Sequence, residues 1–173
     1  RFELVLGGGF VTSEYERRVK HMPGFGRVRY IGTVLHQDVS QWYSQADVGV
    51  VPLAPLRRYR VALPVKLFEF MAAGLPVIVS DFPILRNIVE EWSCGIYINP
   101  EDPQAIADAA RFLALNPDTA KAMGDNGRRA VMERYNWQSE AHNLLALYRR
   151  LILLPIPLPH RSLSTLIGGQ GVL

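Results

Sequence analysis

A helix followed at once by a wholly apolar strand is the feature that most constrains the fold of this chain. Residues 63–81 read LPVKLFEFMAAGLPVIVSD. Pro64 predicts a helix start, because a proline in the first helical turn leaves no backbone donor unpaired. Gly74 and Pro76 predict the helix end, and residues 77–79 predict a strand that is apolar on both faces. Such a strand must be covered on both sides, as in a parallel sheet.

The same alternation of strand and helix runs through the rest of the chain. This order is typical of an α/β fold, here a Rossmann-like parallel sheet with helices on both faces, followed by C-terminal helices. The predicted strands are residues 2–6, 28–31, 48–51, 77–79 and 95–98. The predicted helices are residues 12–21, 38–45, 83–90, 103–115, 117–134 and 137–153, together with the one that starts at residue 64. The last helix is expected to bury a stripe formed by Leu144, Leu145, Leu147, Tyr148 and Leu151.

The composition fits one soluble globular domain over residues 1–153. Of the 173 residues, 49% are hydrophobic and 20% are charged, which suits a domain with a core. The single cysteine, Cys94, excludes an internal disulfide framework, fits a reducing compartment and is expected to be a small buried residue. No apolar run approaches membrane-spanning length. The net charge of +3 favours phosphate-bearing ligands or an anionic membrane surface and does not demand nucleic acid.

The two ends of the chain lead to separate expectations. The sequence begins Arg1-Phe2-Glu3, without a methionine and inside a predicted strand, so we interpret it as part of a longer polypeptide. Residues 154–173 contain prolines at 155, 157 and 159 and a glycine-rich end, and the prolines oppose a helix. This segment is expected to be a poorly ordered tail.

Lys66 and Glu69 are the strongest candidate site residues. The helix start leaves the N–H groups of Val65 and Lys66 free beside a cationic side chain, and together with Pro64 they form a candidate anion site. Glu69 follows about one and a half turns into the helix and can accept hydrogen bonds from the group that carries the anion. A phosphate and a hydroxyl-bearing group together describe a nucleotide sugar better than a free metabolite. On spacing alone, an ordinary solvated i,i+3 pair remains the alternative.

Two loops supply further candidate donor-binding residues. Gly7 and Gly9 follow the first strand and would let a ligand approach the backbone closely, although a tight strand-to-helix turn is an equally good explanation. The loop after the third strand carries Arg57, Arg58 and Arg60, whose guanidinium groups suit a diphosphate; for any one of them, a solvated loop is the alternative. The four histidines show no metal-ligand spacing, so no metal site is predicted.

Residues 69–78, EFMAAGLPVI, resemble the donor-binding signature of retaining GT-B glycosyltransferases of the family 4 group, the glycosyl transferases group 1. The helix start, the glutamate, the Ala-Ala-Gly run and the Pro-Val-Ile strand all fall in one register. The resemblance covers about residues 2–153. It implies the C-terminal, donor-binding half of such an enzyme, with a UDP- or GDP-linked sugar as substrate and with no cofactor and no protein-bound metal.

The resemblance also implies roles for single residues. The amides of Val65 and Lys66 and the Lys66 ammonium would hold the diphosphate, and Glu69 would accept hydrogen bonds from the ribose hydroxyls. Family members often carry a further glutamate where this chain has Val61, so the sugar-contacting role and any catalytic residue stay unassigned. The acceptor domain, N-terminal to this one, is absent from the sequence. The chain alone is therefore expected to bind donor weakly and to transfer nothing.

Two alternatives from other classes remain open. One is a GT-B-like nucleotide-sugar 2-epimerase, which needs acid and base residues in a cleft between domains. The other is a non-catalytic nucleotide-sugar-binding or assembly module, with which Val61 is compatible. The expected setting is polysaccharide, cell-envelope or glycolipid synthesis in the cytoplasm. A peripheral association with the inner face of the membrane is left open.

Overall fold

The structure, a computed structural model, describes residues 2–153, and the predicted tail at residues 154–173 lies outside the described residues. The chain divides into two compact units, one up to Tyr135 and one from Asn136 onward. The strands are β1 (Leu4–Gly7), β2 (Val28–Gly32), β3 (Gly49–Val51), β4 (Val77–Ser80) and β5 (Gly95–Ile98). The helices are α1 (Ser13–Lys20), α2 (Val39–Tyr43), α3 (Val65–Ala72), α4 (Pro83–Trp92), α5 (Pro103–Leu115), α6 (Pro117–Glu133) and α7 (Trp137–Leu153).

The centre of the first unit is a three-stranded parallel sheet in the order β3-β4-β5. Because successive side chains of a strand point to opposite faces, β4 contributes to two cores. Val77 and Val79 pack in a cluster with residues of α3, α4 and α6, whereas Ile78 packs in another cluster with residues of α5. All three side chains are fully buried. This arrangement confirms the predicted α/β fold and the predicted strand that is covered on both faces.

The first two strands differ from the prediction of one continuous buried sheet. β1 pairs in parallel with β2, and within residues 2–153 this pair is not joined to the β3-β4-β5 sheet by ladder hydrogen bonds. Leu4, Val5 and Leu6 of β1 are 54%, 41% and 38% exposed. Their sequence is that of a buried strand, but a two-stranded pair has too few neighbours to cover it on both faces.

The second unit is described by helix α7, whose bounds match the prediction. The Asn136 side-chain oxygen accepts a hydrogen bond from the backbone N–H of Ser139 at 2.9 Å, a typical contact at a helix start. The predicted burial of the apolar stripe is wrong, because its side chains are 45–57% exposed. The described part of this unit is a single helix, so no second element among its described residues covers the stripe. Within the described part of the chain, no helix has both the length and the apolar character needed to span a bilayer.

Candidate functional site

Helix α3 presents an open N-terminus. Pro64 lies just before the first helical residue rather than inside the first turn, with extended φ and ψ of −71° and 129°. Its carbonyl accepts a hydrogen bond from the backbone N–H of Leu67 at 3.0 Å. The backbone N–H groups of Val65 and Lys66 have no acceptor among the described residues. These free donors and the positive end of the helix dipole favour an anion at this point.

Lys66, Glu69 and Tyr43 form one hydrogen-bonded cluster beside this helix start. The Lys66 Nζ atom lies 2.8 Å from Oε2 of Glu69, and the Tyr43 hydroxyl donates to the same oxygen at 2.6 Å. Lys66 Nζ also lies 3.2 Å from the Tyr43 hydroxyl. The structure therefore brings together the two predicted residues, as an i,i+3 pair, and adds a third. The Lys66 side chain is 58% exposed and that of Glu69 is 24% exposed, so the pair is accessible from solvent.

The cluster fixes the protonation states of its members. Burial raises the pKa of Glu69, but the hydrogen bonds from Lys66 and Tyr43, the charge of Lys66 and a smaller contribution from His36 together hold that pKa below its ordinary value. The hydrogen bond to Glu69 raises the pKa of Lys66. Burial, followed by the same carboxylate, raises the pKa of Tyr43. At neutral pH the site therefore contains a carboxylate, an ammonium and a neutral phenol.

Tyr43 was missed by the sequence analysis, because 26 residues separate it from Glu69 and no motif joins them. Tyr43 is held in position by packing on Phe70, the residue that follows Glu69 on α3. The Tyr43 and Phe70 rings meet edge to face with centroids 5.0 Å apart. Phe70 in turn lies directly against Gly49 of β3, where an added Cβ would be 2.4 Å from the Phe70 Cγ atom. Because Gly49 has no side chain, the Phe70 ring fits against β3, and Tyr43 packs on that ring.

The glycine loop lies at the end of β1, as predicted. The residue whose backbone conformation favours glycine is Gly8, between the two predicted glycines. Gly8 has φ of 128°, a value that favours glycine, whereas Gly7 and Gly9 have φ outside that range. The loop is held by hydrogen bonds from Gly8 N–H to the Gly32 carbonyl at 2.7 Å and from the Tyr30 hydroxyl to the Gly8 carbonyl at 2.9 Å. No described hydrogen bond or ion pair joins this loop to the cluster at α3.

The three arginines of the loop before α3 have different surroundings. Arg58 stacks on the neighbouring Tyr59 ring, with the guanidinium carbon 4.8 Å from the ring centroid. Arg60 lies 5.7 Å from the Phe82 ring centroid. Arg57 is exposed and, among the described residues, has no hydrogen bond or ion pair.

A cavity of about 310 Å³ opens beside Arg60, and neither Lys66 nor Glu69 lines it. It is lined by Pro55, Arg60, Asp81, Phe82, Asn99, Pro100 and Glu101. Asp81 is held by two hydrogen bonds from the Arg86 guanidinium, which gives this carboxylate a structural partner.

Two further observations bear on the chemistry. Val61, where the sequence resemblance leads us to expect a glutamate, is 76% exposed and offers no polar group. Within residues 2–153, no three His, Cys, Asp or Glu side chains lie close enough together to hold a metal ion.

Comparison with known proteins shows the family of the chain. A family sequence model described as glycosyl transferases group 1 matches residues 1–116. The chain is 29% identical over 150 residues to the spore coat protein SA of Bacillus subtilis, covering 82% of this chain and 38% of that protein. It is also 29% identical over 148 residues to a GDP-mannose-dependent alpha-(1-6)-phosphatidylinositol monomannoside mannosyltransferase of Mycobacterium tuberculosis, covering 82% of this chain and 37% of that protein.

The solved structures agree with the sequence comparison. Sucrose-phosphate synthase from Thermosynechococcus elongatus superposes with a TM-score of 0.73 and 31% identity, over 87% of this chain and 38% of that one. The chain thus spans less than two fifths of the length of these three relatives, at 38%, 37% and 38%. The chain belongs to the glycosyl transferases group 1 family and corresponds to the C-terminal domain of its GT-B fold.

Proposed function

We propose that the chain is the donor-binding domain of a retaining glycosyltransferase that takes its sugar from a nucleoside-diphosphate sugar. The observation that carries the proposal is the open start of α3 beside Lys66 and Glu69, where two free N–H groups, an ammonium and a carboxylate lie together. This combination suits a diphosphate attached to a polyhydroxylated group. Membership of a glycosyltransferase family and the GDP-mannose dependence of one relative support a nucleotide-sugar donor.

Each group has a distinct task in this proposal. The amides of Val65 and Lys66 and the Lys66 ammonium bind the diphosphate, and Glu69 accepts hydrogen bonds from the ribose hydroxyls. When the bond between the sugar and the diphosphate breaks, negative charge grows on the departing phosphate. The α3 dipole and Lys66 stabilise that charge. Because Val61 is apolar, the residue that contacts the sugar lies elsewhere.

The loop residues complete the proposed donor site. Arg57 is exposed and unpaired among the described residues, so it can turn toward a phosphate with little loss of existing contacts. Arg58 and Arg60 would first have to leave their aromatic partners. Gly7 and Gly9 let the nucleotide approach the β1 loop. A second domain of the same protein carries the acceptor, in the cytoplasm or at the inner face of the membrane, so the isolated chain binds donor weakly and transfers no sugar.

Calorimetric titration with UDP, GDP and their sugar derivatives tests the proposal. We expect one of the two diphosphates to bind, and Glu69→Ala to weaken binding by roughly 10- to 100-fold, the cost of hydrogen bonds to a charged acceptor. The control is Glu133→Ala, which removes an exposed glutamate from the end of α6. No binding of either diphosphate, or equal binding by Glu69→Ala, would contradict the proposal. Inversion at C2 of the donor sugar without an acceptor would favour a 2-epimerase.

A non-catalytic module is the second candidate. The exposed Val61 in place of a glutamate favours it, as does similarity to a protein named for the spore coat. In that case, joining the chain to its acceptor domain would give a protein that binds nucleotide sugar and transfers nothing. A glycosyltransferase would give a sugar-labelled acceptor from the same mixture.

A further inference from the structure

We infer that Tyr43 is a positioning residue that orients the Glu69 carboxylate toward a ribose hydroxyl; the inference rests on the proposed function. The two hydrogen-bond donors of the cluster meet at a single oxygen. Tyr43 and Lys66 both bond to Oε2 of Glu69, at 2.6 Å and 2.8 Å. Oε1 has no donor among the described residues. One carboxylate oxygen is therefore fixed by the protein and the other is left to accept a hydrogen from a ligand.

The two donors differ in how firmly they hold that oxygen. Lys66 is 58% exposed on a flexible stem, and the proposed function requires it to turn toward the diphosphate when the donor binds. Tyr43 has a rigid ring, is half-buried and rests on Phe70, with ring centroids 5.0 Å apart. Once Lys66 engages a phosphate, Tyr43 becomes the remaining protein donor to Oε2 among the described residues.

Loss of the Tyr43 hydroxyl would loosen the carboxylate that meets the ribose of a bound nucleotide. The Glu69 side chain is freed to rotate, so its carboxylate must be ordered again each time a ribose binds. The hydroxyl itself touches neither phosphate nor ribose in this account. Its effect therefore depends on both Glu69 and the ribose hydroxyls.

The test compares UDP with 2′,3′-dideoxyuridine diphosphate, or the guanine pair if the chain prefers GDP. Affinities are measured by two-dimensional NMR titration of the unaltered chain, Tyr43→Phe, Glu69→Gln and the double variant. We expect Tyr43→Phe to weaken UDP binding about tenfold, as for one hydrogen bond to a charged group. The same variant should change dideoxynucleotide binding less than about twofold, and it should add little to Glu69→Gln.

The matched control is Tyr135→Phe, because Tyr135 is a half-buried aromatic that packs on Phe68 and Trp92 away from the cluster. Thermal unfolding of each variant checks that the fold is kept. Equal weakening for both nucleotides, an additive double variant, or unchanged UDP binding by Tyr43→Phe would overturn the inference and leave the proposed function standing. Absence of diphosphate binding by the unaltered chain would overturn both.

Discussion

Gly49→Ala is expected to disturb the fold and the candidate site together. A Cβ at position 49 would lie 2.4 Å, 2.5 Å and 2.7 Å from the Cγ, Cδ2 and Cβ atoms of Phe70. Carbon atoms in ordinary contact are about 3.5–4.0 Å apart, so either the Phe70 ring or β3 must move by about 1 Å. Overpacking of this kind lowers the free energy of unfolding by about 1–3 kcal/mol.

The same displacement should reach Glu69 through Tyr43. The Tyr43 ring rests on Phe70, and its hydroxyl lies 2.6 Å from Glu69 Oε2. A shift of about 1 Å away from the carboxylate would take that distance beyond the range of a hydrogen bond. We therefore expect Gly49→Ala to lower the melting temperature by roughly 3–10 °C and to weaken UDP or GDP binding about as much as Tyr43→Phe does.

Calorimetric unfolding and a nucleotide titration of the same sample measure both effects. Gly26→Ala is the control, because an added Cβ there meets no atom within 4 Å and its φ lies outside the range that favours glycine. An unchanged melting temperature for Gly49→Ala would refute the contact with Phe70. A lower melting temperature with unchanged affinity would show that Phe70 does not hold Tyr43 in place.

Three further predictions concern other parts of the chain. Lys66→Met should weaken binding of UDP or GDP at least about tenfold and leave binding of the corresponding nucleoside unchanged, as titrations would show. Burial raises the pKa of Cys94 to about 11, so its thiol should react with a colorimetric thiol reagent at pH 8 only after denaturation; rapid reaction of the folded chain would contradict this. Asp102→Ala removes the side-chain oxygen that accepts from the N–H groups of Gln104 and Ala105, and should cost about 1 kcal/mol in urea unfolding, whereas an unchanged midpoint would exclude a capping role.

The central sheet and the Lys66–Glu69 pair could be predicted because their signals are local. Residues 77–79 are apolar without interruption, and this pattern by itself requires cover on both faces. Lys66 and Glu69 are three residues apart on one helix, so helical geometry alone brings their side chains together. The family register then singled them out from the many such pairs that lie on helix surfaces.

The positions that escaped prediction depend on contacts between distant parts of the chain. Tyr43 reaches Glu69 across 26 residues because Gly49 leaves space for Phe70, and no sequence period records that space. Burial of β1 was predicted from its apolar sequence, but burial depends on neighbours that the sequence of one strand does not specify. The apolar stripe of α7 was misjudged for the same reason.

The arginine loop shows a further limit. A diphosphate-binding role was predicted for Arg57, Arg58 and Arg60 from their charge and from the position of their loop at the end of a strand. Charge does not distinguish an arginine with free N–H groups from one that stacks on an aromatic ring, as Arg58 does on Tyr59. In the structure, Arg57 is exposed and, unlike Arg58 and Arg60, makes no contact with an aromatic ring among the described residues.

An NMR titration of the isotopically labelled chain with UDP and GDP tests most directly whether the start of α3 binds the donor nucleotide. We predict that the largest amide shifts fall on Val65 and Lys66, with changes around Glu69 and Tyr43, and that Glu69→Ala reduces these shifts at equal nucleotide concentration. Shifts concentrated on other parts of the chain, or no shifts with either nucleotide at millimolar concentration, would contradict the account.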